Sequence, residues 1–232
     1  MIQKKPNTQY TLAKPNSIQI RIALRQRRVM YERFLSLTGV EPEETILDVG
    51  VTSDQTYSSS NYLEAWYPHK ATITACGIDD ASFLETLFPG IRFVRADGVV
   101  LPFADRSFDV VHSSAVLEHV GSYERQTRFI RECTRVARRA VFLTTPNRWF
   151  PIEVHTSLPL VHWLPKPIFR KIMIRIGLDF FAMEENLNLM SGNELKKISE
   201  TIPDFELHTA RVRLSGWTSN LLQIGERRST KA

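Results

Sequence analysis

Apolar runs of four to eight residues recur along the first two thirds of the chain. They lie at Thr45 to Val49, Ala71 to Ile78, Ile91 to Val94, Phe108 to His112 and Ala140 to Thr144. Their near-continuous hydrophobicity is that of strands buried on both faces. Residues Ser17 to Thr38 carry a helical apolar period, with Arg21, Arg25, Arg27 and Arg28 on the other faces. A second helix is predicted from Ser122 to Ala137, its stripe formed by Phe129, Ile130, Cys133, Val136 and Ala137, with six arginines between Arg125 and Arg139. A helix near Ser191 to Thr201 and strands near Phe205 to Leu214 and Asn220 to Gly225 close the chain, the last two as an antiparallel pair at the sheet edge.

This alternation predicts an α/β fold: a Rossmann-like three-layer α/β/α sandwich, with a mostly parallel seven-stranded sheet and an antiparallel edge strand. Pro146 to Met190 breaks the rhythm with prolines and aromatics and reads as a helical lid inserted after the fifth strand. The expected organisation is therefore an N-terminal arm and helix over residues 1–40, loosened by Pro6 and Pro15, and one domain over 41–232 carrying the lid at about 146–190. Ligands of such sheets bind beyond the carboxyl ends of the strands, where the strand order switches.

Composition changes little. A hydrophobic content of 43% and a charge of +5 suit a globular protein with either an anionic partner or only a solvated basic surface. Cys76 and Cys133 show no CxxC or Cys/His ligand spacing, so reduced thiols and no metal are expected. The first residues are polar and no apolar run reaches about 18, so a cytoplasmic protein is expected.

Three signals carry chemistry. The first strand ends in Leu47-Asp48-Val49-Gly50, where a glycine admits close backbone approach and an acid can accept hydrogen bonds from a cationic amine; the same pattern also serves as a plain turn. The second ends in Gly77-Ile78-Asp79-Asp80, where a carboxylate can take the ribose hydroxyls of an adenosine or cap the next helix. The third is the run Ala96-Asp97-Gly98, Leu101-Pro102-Phe103, Ser107 to Ser114, and Leu117-Glu118-His119-Val120.

This run resembles class I S-adenosylmethionine (SAM)-dependent methyltransferases, in particular the ubiquinone-biosynthesis type and related small-molecule enzymes. The resemblance extends from about Thr45 to Asn147. It implies SAM as cofactor. Asp48, Gly50 and Val51 would stand at the methionyl end, Asp79 with Asp80 at the ribose, Ala96, Asp97 and Gly98 beside the adenine, and Ser113 with Ser114 near the transferable methyl. The glycines that usually follow Gly50 are replaced by Val51-Thr52-Ser53-Asp54, a turn similar to one in a variant group of bacterial methyltransferases. The 51–60 loop is expected to be remodelled, with Thr52 or Ser53 supplying polar contacts.

Glu153 and His155, just beyond the fifth strand, are the best-placed catalytic pair, His155 as base and Glu153 orienting it; anchoring the lid is the other use of such a pair. His112 and His119 read as packing or cofactor-adjacent residues. Trp149, Phe150 and Trp163, with Leu158, Leu160 and Leu164, could wall an acceptor pocket or fill the lid's core. The helix from Lys166 to Gly177 is basic and amphipathic, suited to packing as a lid or to peripheral membrane contact. The leading reading is transfer of a methyl to an oxygen of a sugar, quinone-like or lipid-linked small molecule. A degenerate, non-catalytic scaffold and a nucleic-acid or protein methyltransferase are the alternatives. Nucleic acid is disfavoured, since the arginines of the Ser122 to Ala137 helix should face away from the cofactor.

Overall fold

A computed structural model describes residues 17–55 and 60–229. The expected proline-marked arm lies outside the described residues. Strands β1 (Ile46–Val49), β2 (Ile73–Gly77), β3 (Arg92–Arg95), β4 (Phe108–Ser114), β5 (Ala137–Pro146), β6 (Phe205–Leu214) and β7 (Trp217–Arg227) form one sheet in the order β3-β2-β1-β4-β5-β7-β6. β1 to β5 pair in parallel, whereas β7 runs antiparallel between β5 and β6. β7 therefore enters one place inside the edge, and β6 takes the edge itself. The switch in strand order falls between β1 and β4, where ligand crevices form in such sheets.

Helices cover both faces, and residue parity along the strands decides which side chain meets which layer. Leu47, Val49, Val111, Val141 and Leu143 pack with Phe129, Ile130 and Cys133 of α4 (Tyr123–Val136) and Leu195 and Ile198 of α7 (Gly192–Ser199). Ile46, Val110, Ala140 and Phe142 pack with Met30, Tyr31 and Phe34 of α1 (Ile18–Thr38), beside Leu63 of α2 (Tyr62–Trp66) and Leu84 of α3 (Phe83–Leu87). Asp48, His112 and Ser114 share parity with this second layer.

Several expected surface arginines are committed to internal pairs. Arg139 forks onto Glu44 at 2.7 and 2.6 Å and donates to the Thr38 carbonyl, fixing the C-terminal end of α1 to β5. Arg125, Arg135 and Arg138 pair with Asp97, Glu132 and Asp109 respectively.

The insertion after β5 contains α5 (Lys166–Arg175) and α6 (Asp179–Ala182), and has a core of its own: Phe169, Met173, Phe181, Ala182, Leu187 and Leu189. Its two ends meet at a neck, where Arg148 N–H donates to the Met190 carbonyl at 3.0 Å and Asn147 N–H to Ser219 at 2.9 Å. Among the described residues no helix is long and apolar enough to cross a membrane.

Candidate active site

Asp48 projects from β1 toward the α1 and α2 layer. It stands directly opposite His112 in the parallel register, and its Oδ1 lies 2.7 Å from His112 Nδ1. His112 Nε2 is 2.9 Å from the Tyr62 hydroxyl. Burial pulls the imidazole down to about 4, so it is neutral at physiological pH. Nδ1 then carries the proton toward the carboxylate, and Nε2 accepts from Tyr62. Glu64, fully buried on α2, lies beside Asp48, and neither of its carboxyl oxygens receives a hydrogen bond from a protein donor. Burial, together with the neighbouring Asp48 charge, pushes the Glu64 carboxyl well above its ordinary value. Burial also lifts Asp48 to about 7, opposed by a hydrogen bond from Glu64.

A void of about 220 Å³ opens here, lined by Asp48, Gly50, Val51, residues 60–63, His112 and Ser114. Gly50, at φ +97°, ends β1 with its Cα against Val116; a Cβ there would come within 2.2 Å of Val116 Cγ2. The loop beyond is held by a reciprocal pair, Thr52 N–H to Asn61 Oδ1 and Asn61 Nδ2 to the Thr52 carbonyl, both at 2.9 Å. Thr52 Oγ1 also accepts from Asp54 N–H. The hydroxyl of Ser113 donates to the Val49 carbonyl at 2.7 Å on the opposite face, so of the two serines Ser114 lines the void.

Asp79 is half-buried at the end of β2, whereas exposed Asp80 accepts from Ser82 N–H at the entry to α3. Ala96 N–H donates to the Gly77 carbonyl, carrying the 96–98 segment alongside the end of β2. Asp97 accepts from Val99 N–H within its own turn and pairs with Arg125, and Gly98 is closed in by Phe129, whose ring a Cβ would meet at 2.4 Å.

One strand over, beyond β4 and β5, lies a second polar cluster. Ser114 Oγ meets Thr144 Oγ1 at 3.1 Å, and the adjacent Thr145 donates to Glu118 Oε2 at 2.9 Å. Glu118 and His119 lie in the short turn after β4, and the lid brings His155 to them, its ring edge-on to that of His119 at 4.8 Å. Glu153 organises this part of the lid. Its Oε1 accepts from the backbone N–H and Nδ1 of His155 (3.0 and 2.6 Å), and its Oε2 from the backbone and hydroxyl of Thr156 (both 2.7 Å). Burial alone would raise Glu153, but the His155 charge and these bonds hold it at about 2. Burial works to lower His155 and is outweighed by Glu153, so that imidazole stands above its ordinary value. Glu118, fully buried, is pushed up to about 7.

A third feature lies in the lid. A cleft of about 300 Å³ there mixes Phe169, Leu187 and Leu189 with Arg148, Lys166 and Arg170. Trp149, Trp163 and Trp217 form a row beside it, with successive centroids 6.2 Å apart, instead of entering the lid's core.

The Methyltransferase domain family matches residues 25–144, from within α1 to the eighth residue of β5. The chain belongs to this family. Two probable S-adenosylmethionine-dependent methyltransferases of Mycobacterium tuberculosis, from strains CDC 1551 / Oshkosh and ATCC 25618 / H37Rv, are each 40% identical over 67 residues. That stretch covers 28% of this chain and 23% of either relative, so the match spans under a quarter of their length. Magnesium protoporphyrin IX methyltransferase from Synechocystis PCC 6803, crystallised with bound SAH, shares the fold. Its TM-score is 0.57 at 15% identity, with 95% of this chain and 91% of that chain covered.

The methyltransferase domain's void fits the amino-acid end of SAM. The Asp48 carboxyl lines the void where an ammonium could pair with it, Glu64 lies buried behind Asp48, and Ser114 adds a hydroxyl. Asp79 and the 96–98 segment follow along the ends of β2 and β3. Tyr62, Glu64 and the grouping of Glu118 and His119 with His155 were outside the sequence reading. The short apolar stretch Tyr62-Leu63-Glu64-Ala65-Trp66 is the signal for the first two; His155 is too remote in sequence from Glu118 for spacing to reveal the third.

Proposed function

We propose that this chain transfers the methyl of SAM to an oxygen of a small-molecule acceptor, with Glu153 and His155 as the pair that engages the acceptor. The observation that carries this reading is the four-bonded Glu153 carboxylate, which fixes His155 beside His119 and Glu118, the latter bonded to Thr145 next to the Thr144 that meets Ser114 at the void. SAM, when bound, supplies an electrophilic sulfonium methyl for in-line displacement, for which alignment provides much of the rate. Asp48 holds its ammonium end, Asp79 its ribose, and Ala96 to Gly98 flank its adenine. A hydroxyl acceptor must also lose a proton, and His155 Nε2 is the atom that acts on that hydroxyl while Glu153 holds Nδ1.

The lid cleft suits an acceptor with an apolar body and an anionic group, since Phe169 and Leu189 stand beside Arg148, Lys166 and Arg170. Exposed Ile168, Ile174 and Ile176 beside Lys171 and Arg175 favour an acceptor carrying a lipid tail, through peripheral contact of α5 with a membrane. Co-sedimentation with anionic vesicles, lost in an Ile168→Ser/Ile174→Ser variant, is the expected result; no sedimentation removes the membrane element. The pairing of Arg125, Arg135 and Arg138 with acids speaks against a nucleic-acid acceptor.

Calorimetric titration with SAM and its demethylated product tests the cofactor. Folded protein that binds neither would overturn the enzyme reading. Asp79→Ala is expected to weaken binding by about 1–3 kcal/mol, the loss of charged hydrogen bonds. With labelled SAM and lipid or sugar-nucleotide extracts as acceptor sources, His155→Ala is expected to lose about 10²–10⁴-fold in turnover while keeping SAM affinity. Full activity in that variant removes the pair from the mechanism.

A further inference from the structure

Glu118, His119 and His155 each turn one donor atom toward a common point, and these atoms lie within 4.8 Å of one another. The hydrogen bonds behind them determine what they offer. His119 Nδ1 lies 2.6 Å from the carbonyl of Asn186, an acceptor only, so this nitrogen carries the ring proton and Nε2 the lone pair. His155 Nδ1 is held in the same way by Glu153 Oε1 at 2.6 Å, which turns Nε2 toward the cluster. Glu118 Oε2 accepts from Thr145, while the fully buried Oε1 receives no hydrogen bond and lies 3.9 Å from His119 Nε2.

We propose that Glu118 Oε1, His119 Nε2 and His155 Nε2 form a binding site for one divalent transition-metal cation of the zinc class. Two imidazoles and one carboxylate, with a position left over, are the ligand set of open zinc sites, and two nitrogen donors in three argue against magnesium or calcium. Each imidazole is backed on its far nitrogen by an oxygen acceptor, the outer-shell arrangement that orients metal-bound histidines. Charge agrees: the Glu118 and Glu153 carboxylates together balance a dication. Bonds of about 2.0–2.1 Å in a tetrahedron separate ligand atoms by about 3.4 Å, so loading draws the three side chains together by about an ångström. The rival occupant is a proton on His155 Nε2 shared with Glu118.

Binding itself needs only these residues; its catalytic consequence rests on the acceptor reading above. There, the cation would acidify a hydroxyl in the open position, whose proton would pass to solvent water, and His155 would serve as a ligand in place of acting as the base.

The test uses the full, tag-free chain, stripped with chelator and titrated with Co²⁺ and Zn²⁺ while thermal melting monitors the fold. One equivalent should bind, Co²⁺ giving the visible d–d absorption of a low-coordinate nitrogen and oxygen site. Glu118→Gln and His155→Ala should abolish that band. Glu153→Gln, which keeps all three ligands, should weaken binding by about 10–100-fold. No uptake by folded protein would overturn the proposal in favour of the proton, and uptake unchanged in both ligand variants would place the ion elsewhere. Zn²⁺ binding without SAM binding would leave the metal site standing and remove the methyl-transfer reading; SAM binding without Zn²⁺ would do the reverse.

Discussion

Asp48 and His112 meet across the boundary between β1 and β4, Oδ1 to Nδ1 at 2.7 Å, both buried and directly opposite in the register. This contact sits at the switch point of the sheet and ties the void beside Gly50 to a neutral, fixed imidazole.

A pH dependence follows from Asp48. Burial raises it to about 7, opposed by the hydrogen bond from Glu64, so below that pH it is mostly protonated and cannot pair with the ammonium of SAM. SAM affinity should therefore rise as pH increases toward about 7, by up to about tenfold per unit, and fall again as the ligand's own amine deprotonates near 7.7–8.0. Calorimetry across this range should show the rise in the wild type, and Asp48→Asn should flatten it. An unchanged profile in Asp48→Asn assigns the titration to another group.

Tyr62→Phe removes the hydroxyl that meets His112 Nε2 while keeping the ring against Trp66 and Tyr31. The buried nitrogen loses its donor, and the expected cost is about 1–3 kcal/mol. A lower urea midpoint at unchanged slope is the expected reading. No change in midpoint means water replaces the phenol.

Gly50→Ala combines two penalties, a positive φ and a Cβ within 2.2 Å of Val116 Cγ2. The backbone part alone is expected to cost about 1–3 kcal/mol. Adding Val116→Ala should relieve the clash but not the backbone, so stability in the double variant should return only in part. Complete recovery would show that the turn tolerates a side chain.

The layer structure was readable because each central strand and α4 announces itself locally, through a short apolar run or a stripe at helical spacing. The resemblance of the Ala96 to Val120 run then pointed to the cofactor side. The alternation of Val110, His112 and Ser114 with Val111 and Ser113 was also present in the sequence, and it separates Ser114 from Ser113. Applying it needs the face to which Asp48 belongs, which only the packing of α1 supplies. Glu64 lies in a five-residue helix, too short to show a period. The grouping of Glu118 with His155 depends on how the lid folds back, a non-local matter that no local pattern records.

The lid's return is fastened at several points. Asn188 N–H donates to the Glu118 carbonyl, Gln126 donates to Leu117 and Asn188 carbonyls, and Asn188 Nδ2 donates to Gly121. Together with the Arg148–Met190 neck, these bonds anchor both ends of the insertion to the sheet and to α4. The α5–α6 part of the insertion, with its separate core, could therefore change in shape while these anchors keep Glu153 and His155 beside Glu118 and His119.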